Sequence, residues 1–171
     1  MANVLMVIAP DGFKDEEYYI PKKILEENKH KVYTVSLKKQ ARSVAGKTQE
    51  VDMLLDEVDD INHYSAVVFI GGPGADCYFE NKKAREIIKE MDINGKIIAA
   101  ICIAPATLAF ADLLKGKKAT CFPSVKDVLI DKGAKYTGEA FERDANILTA
   151  NGPEVAEEFG KQIADALRIY D

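Results

Sequence analysis

The chain has 171 residues, 47% of them hydrophobic, and a formal net charge of −5. That length suits a single domain, 1–171, with room for a real core, and the composition excludes a disordered chain. The acidic balance argues against a general nucleic-acid binder or a binder of anionic membranes, and no apolar run approaches the length of a bilayer span.

Strands and helices alternate along the chain. Val4 to Ile8 predicts a first strand. The N-terminus is apolar but carries no basic leader, so it reads as strand rather than signal peptide. Asp15 to Asn28 predicts a helix whose apolar face draws on Tyr18, Ile20, Ile24 and Leu25, with Pro21 interrupting its first turns. Lys31 to Val35 is a second strand. Ala41 to Met53 lacks a helical period and contains Gly46, which predicts a small β-hairpin or excursion. Ala66 to Ile70 is a buried strand stopped by Gly71-Gly72-Pro73-Gly74. Lys82 to Met91 is a helix with Ile87, Ile88 and Met91 on its apolar face. Lys96 to Ile101 is a short, fully apolar strand, and Ile103 to Ala109 a helix with Pro105 in its first turn. Lys117 to Cys121 predicts a strand, Val125 to Lys132 a helix ended by Gly133, and Glu139 to Ala150 a hairpin turning at Asp144-Ala145. Glu154 to Tyr170 closes the chain as an amphipathic helix through Val155, Phe159, Ile163 and Leu167.

Short apolar strands between helices imply a parallel sheet covered on both faces. Such sheets bind ligands at the carboxyl ends of their strands, near a switch in strand order. Three segments meet that condition: the loop after the first strand, the Gly71–Gly74 loop, and Cys102 at an abrupt strand-to-helix joint. A cysteine there is lifted onto the sheet edge at a helix N-terminus, a place that favours thiolate over thiol. The amides of Gly72 and Ile103 are candidates for an oxyanion hole beside its sulfur. The glycine loop is not a phosphate loop, because the lysine and hydroxyl residue of that motif are missing.

Asp15, Glu16 and Glu17 open the first helix, where most acids serve only the helix dipole. Any one of the three turned inward over Cys102 would have its pKa raised by burial and by the neighbouring thiolate, and once protonated could donate a hydrogen bond to sulfur. The cysteines Cys77, Cys102 and Cys121 are widely spaced and odd in number, which suggests free thiols in a reducing cytoplasm. Cys77 and Cys121 are the thiols within range of Cys102, and a Cys102–Cys121 disulfide is expected under oxidation. No metal-ligand spacing is present, and no cofactor is expected. The two histidines, His30 and His63, fall at the N-terminal ends of strands and read as surface residues, away from Cys102.

Taken together, these segments resemble the ThiJ/PfpI superfamily, which includes the PfpI-type intracellular proteases and the parkinsonism-associated deglycase proteins. Phe13-Lys14-Asp15-Glu16-Glu17-Tyr18-Tyr19-Ile20-Pro21 is similar to the family's FEDVExxxP segment. Phe69 to Gly74 is similar to its GG loop, and Ala100-Ile101-Cys102-Ile103-Ala104-Pro105 to AIC-x-[GA]-P. Gly116 to Pro123 resembles GxKAT-x-x-P, and Ile147 to Pro153 resembles LITSRGP. The resemblance implies a flavodoxin-like three-layer α/β/α sandwich with a mostly parallel sheet and a nucleophile elbow at Cys102. It selects Glu17 as the acidic partner, and it implies a pocket of Gly71, Pro73, Cys121, Phe122 and Asn151. It also implies a homodimer or higher homo-oligomer and a small electrophile or a peptide as substrate.

The departures from the family pattern bear on mechanism. Ile103 stands where PfpI-type proteases have histidine, Phe122 where deglycase-type members have it, and Asn151 replaces the arginine of LITSRGP. These changes oppose a peptidase or amidase and favour a reactive thiol working on small aldehydes, in redox sensing or in stress protection. A chaperone-like or regulatory binding protein on the same scaffold is the non-enzymatic alternative.

Overall fold

In a computed structural model, residues 1–170 are described. Seven strands form the main sheet: β1 (Asn3–Val7), β3 (Lys31–Ser36), β6 (Met53–Leu54), β7 (Ala66–Phe69), β8 (Ile97–Ile101), β11 (Phe141–Asp144) and β12 (Ile147–Ala150). Their order is β11-β12-β8-β7-β1-β3-β6. Every pair is parallel except the β11–β12 hairpin. The chain runs from β1 to β3 on one side, then crosses to β7 on the other. The switch in strand order therefore lies between β1 and β7, and the loops leaving them open a crevice at the carboxyl edge. This is the flavodoxin-like, mostly parallel sheet expected from the sequence.

The apolar strands explain the layers. Side chains of successive strand residues point to opposite faces, so each strand feeds two cores. Leu5, Val7, Val67, Phe69, Ile98 and Ala100 pack on one face, with Ile87, Ile88 and Met91 of α2 (Lys82–Ile93), Leu108 of α3 (Pro105–Phe110) and Leu129 of α4 (Lys126–Asp131). Val4, Met6, Val68, Ile97, Ala99 and Ile101 pack on the other, with Tyr18 and Leu25 of α1 (Asp15–Glu27) and Phe159 and Ile163 of α5 (Ala156–Ala166). β7 and β8 are buried at every residue, which is why they read as unbroken apolar runs.

The excursion after β3 is a small second sheet. β4 (Gln40–Ser43) and β5 (Thr48–Glu50) pair antiparallel, and β2 (Asp11–Phe13) joins β4 in parallel. β2 was invisible in the sequence because an Asp-Gly pair reads as a turn.

Other differences have local causes. Lys118–Ala119 (β9) is all that remains of the strand expected over Lys117 to Cys121, and it pairs only with β10 (Lys135–Tyr136), outside the main sheet. Thr120 satisfies its backbone N–H through Thr149 Oγ1 at 3.0 Å instead of a ladder. The closing helix begins as a 3-10 turn at Pro153–Val155 and returns to 3-10 geometry at Leu167–Tyr170. Pro21 does not break α1, which continues to Glu27. Ile20 is not on the buried face: it is 37% exposed. His30 is buried rather than on the surface, its Nδ1 accepting the Ala2 N–H at 3.1 Å. Its position at the start of β3 remains at the opposite edge of the sheet from Cys102.

Candidate functional site

β8 ends at Ile101, and Cys102 then takes φ 65°, a left-handed conformation that costs a side-chain-bearing residue on the order of 1–3 kcal/mol. The surroundings hold it there. Its N–H donates to Ala150 O at 2.9 Å, and its carbonyl accepts the Phe122 N–H at 2.8 Å. The chain turns through Ile103 and Ala104 and enters α3 at Pro105, the first helical position. The sharp turn lifts the thiol onto the carboxyl edge of the sheet, where the backbone N–H groups of Gly72 and Ile103 donate to its sulfur.

Glu17 reaches the same point from α1. The Lys14 N–H donates to Gly71 O at 3.0 Å, tying the start of the helix to the glycine loop. One turn later Glu17 is fully buried, with Oε1 accepting the Gly71 N–H at 3.0 Å. Pro21 lacks the N–H that would bond the Glu17 carbonyl, so that carbonyl goes without this intrahelical bond. The carboxyl and the Cys102 thiol are hydrogen-bonding neighbours, whereas Oε2 has no partner at hydrogen-bond geometry. Gly71 is the floor between them. A Cβ there would lie 2.5 Å from both Cys102 Cβ and Glu17 Oε1, so a side chain at 71 would displace the pair. Gly72 has a φ of 107°, which L side chains rarely adopt, and a Cβ there would lie 2.6 Å from Lys14 N and 2.9 Å from Phe13 C.

Burial pushes the Glu17 carboxyl up to about 7, against the pull of the hydrogen bonds from Cys102 and Gly71. The thiol also moves up, to about 12, first because it is buried and then because the Glu17 charge faces it; the Gly72 and Ile103 amides oppose this only in part. The thiolate-favouring effect expected of the helix terminus is therefore overridden: α3 has six residues, and burial beside a carboxyl is the stronger influence. The two groups titrate as a unit. One proton leaves near neutrality, and the pair then holds one proton between oxygen and sulfur.

The pair opens on a cleft of about 310 Å³ lined by Lys14, Glu17, Gly72, Pro73, Cys102, Ile103, Phe122, Ser124 and Pro153. Asn151 is not in it. It lines an adjoining cavity of about 240 Å³ with Gly152 and Glu154, separated from the first by Phe122 and Pro153. Cys121 is fully buried behind the site, and Gly71 lies beneath it rather than on its wall. All three cysteines are free: Cys77 is exposed and Cys121 buried, both thiols raised above the ordinary range by burial. Sequence reasoning missed Lys14, Ser124 and Pro153 as lining residues. A more voluminous cavity, about 500 Å³, lies elsewhere, between α1 and α5. It is lined by Asn28, Glu158, Lys161 and Arg168 among others and holds no cysteine. Among the described residues no three His, Cys, Asp or Glu side chains gather to hold a metal, and no helix is long and apolar enough to cross a membrane.

A doubly wound sheet with a strained cysteine elbow and a buried glutamate defines a class, and the chain belongs to it: residues 2–166 match the DJ-1/PfpI family. It is 38% identical over 170 residues to an uncharacterized protein of Methanocaldococcus jannaschii, covering 97% of this chain and 82% of that one. It is 33% identical over 152 residues to a deglycase of Thermococcus kodakarensis, covering 87% and 90%. A Bacillus subtilis protein provisionally named a cysteine protease is 30% identical, with 98% and 100% covered. The crystal structure of a ThiJ/PfpI domain protein from Brachyspira murdochii superposes with a TM-score of 0.94 at 30% identity, covering 98% and 96%.

Proposed function

We propose that the protein uses Cys102 as a nucleophile on small reactive aldehydes, with Glu17 as its proton partner. The observation that carries this reading is the pair itself: a cysteine held at φ 65° over a fully buried carboxyl whose Oε2 lacks a partner. In the singly protonated pair, the Glu17 carboxylate takes the thiol proton, and the resulting thiolate beside a carboxylic acid is the form that adds. The sulfur lone pair forms a C–S bond to the aldehyde carbon, the C=O π pair moves onto oxygen, and Glu17 gives that oxygen its proton. The amides of Gly72 and Ile103, already turned toward the sulfur, are the donors within reach of a group built on it. The similarity to a protein named deglycase supports this chemistry.

Peptide cleavage needs more. A leaving amine must be protonated, a task for a general acid worth roughly 10²–10⁴ in rate, and the two flanking positions hold Ile103 and Phe122. His30 and His63 lie toward the other edge of the sheet. The same thiolate is a target for peroxide, which takes it to sulfenic and then sulfinic acid; redox sensing is thus a second use of one site. The homo-oligomer implied by family resemblance belongs to this proposal as well.

The test is methylglyoxal consumption by the purified protein. Cys102→Ser is expected to abolish it, and Glu17→Gln to lower it by at least about 100-fold. Wild-type activity equal to that of Cys102→Ser would refute the proposal.

A further inference from the structure

We propose that Lys14 is a substrate-binding residue that selects electrophiles carrying a carboxylate, so that a short aldehyde acid such as glyoxylate is taken in preference to a neutral aldehyde. This inference rests on the reading of Cys102 as nucleophile. Its starting point is a cation, Lys14, on the wall of the Cys102 cleft.

Lys14 lines the cleft together with Gly72, Pro73, Ile103, Phe122 and Pro153, and among the described residues it is the one cation lining it. Its backbone is fixed beside the nucleophile, because its N–H is bonded to Gly71 O at 3.0 Å. Its side chain is one-third exposed, and the nearest acid is the half-exposed Glu16, with Oε2 at 3.7 Å from Nζ. An open pair of that length contributes little, so the ammonium is available to an incoming anion. The apolar wall formed by Ile103, Phe122 and Pro153 raises its effect, since charges interact more strongly where water is partly excluded. The ammonium also offsets the negative charge that the Cys102–Glu17 pair carries once its first proton has gone, which would otherwise repel an anionic substrate. The bonding change is the addition already described: a C–S bond forms, the C=O π bond opens, and Glu17 protonates the oxygen. Lys14 holds the carboxylate throughout and exchanges no proton.

Two reagents of matched chemistry read this directly. Iodoacetate and iodoacetamide both alkylate a thiolate with loss of iodide, but only the first carries a carboxylate. Their rates at Cys102 are measured by peptide mass spectrometry in wild type, Lys14→Gln and Lys14→Arg, at low and high salt. The iodoacetate-to-iodoacetamide ratio is expected to fall on the order of tenfold in Lys14→Gln, to be retained in Lys14→Arg, and to shrink with salt in wild type. Because any change in the pair's own proton affinity affects both reagents, the ratio isolates the carboxylate. A ratio unchanged in Lys14→Gln, with both reagents still reacting, would overturn the role of Lys14 and leave the nucleophile reading intact. Failure of both reagents to modify wild-type Cys102 would overturn the two together.

Discussion

Glu17 bears a cost that shows in its titration. A carboxyl pushed from 4.5 to about 7 by burial binds a proton in the folded state that the unfolded chain has already released. Between those two values the native protein holds more protons than the unfolded one, so stability falls as pH rises. The full effect, about 2.5 units at 1.36 kcal/mol each, is about 3 kcal/mol. It is present below pH 4.5 and gone above pH 7. Urea unfolding of wild type and Glu17→Gln at pH 4.5 and pH 8 isolates it: wild type is expected to lose more stability than the variant across that interval. Equal losses would show that the buried carboxyl titrates normally. A residue kept in place against such a cost fits a functional role better than a structural one.

One helix carries the carboxyl half of the pair, and its packing positions that carboxyl. α1 holds Glu17 and lies against α5, where Gly160 packs close against Pro21 and Ile24. A Cβ at Gly160 would sit 2.9 Å from Pro21 Cα and 2.9 Å from Ile24 Cδ1. Alanine is the better helix former by about 1 kcal/mol, but it would meet backbone here, and overpacking costs about 1–3 kcal/mol. Gly160→Ala is therefore expected to lower the unfolding free energy and, by shifting α1, to change the alkylation rate of Cys102. A stabilised variant with unaltered Cys102 kinetics would mean that α1 does not depend on this contact. Much of this was legible beforehand. The apolar runs of β7 and β8, the periodicity of α2 and the hairpin after β3 follow from patterning, because burial on both faces of a parallel sheet permits little else. The losses are equally physical. β9 is short because Thr120 turns to Thr149, a partner 29 residues away that no local pattern encodes.

For the whole molecule, the doubly wound order brings residues 14, 17, 72, 102 and 122 to one carboxyl edge, although they are spread over more than 100 positions of sequence. The elbow at Cys102 was legible because a strand runs directly into the cysteine and a proline follows three residues later. The choice of Glu17 among three acids came only from family resemblance, since which side of α1 faces the sheet edge is set by the Lys14–Gly71 contact. The direction of the thiol's shift was not legible at all: it depends on burial and on a carboxyl that folding brings beside it. The central claim is that Cys102 and Glu17 form one coupled acid. The measurement that tests it most directly is the rate of Cys102 alkylation by iodoacetamide from pH 5 to 11, in wild type and Glu17→Gln. The coupled pair predicts a first rise near pH 7, as one proton leaves, and a second toward 12. The variant should show one rise only, above the ordinary thiol value of about 8.5. A single wild-type rise near 8.5, unchanged by Glu17→Gln, would contradict it.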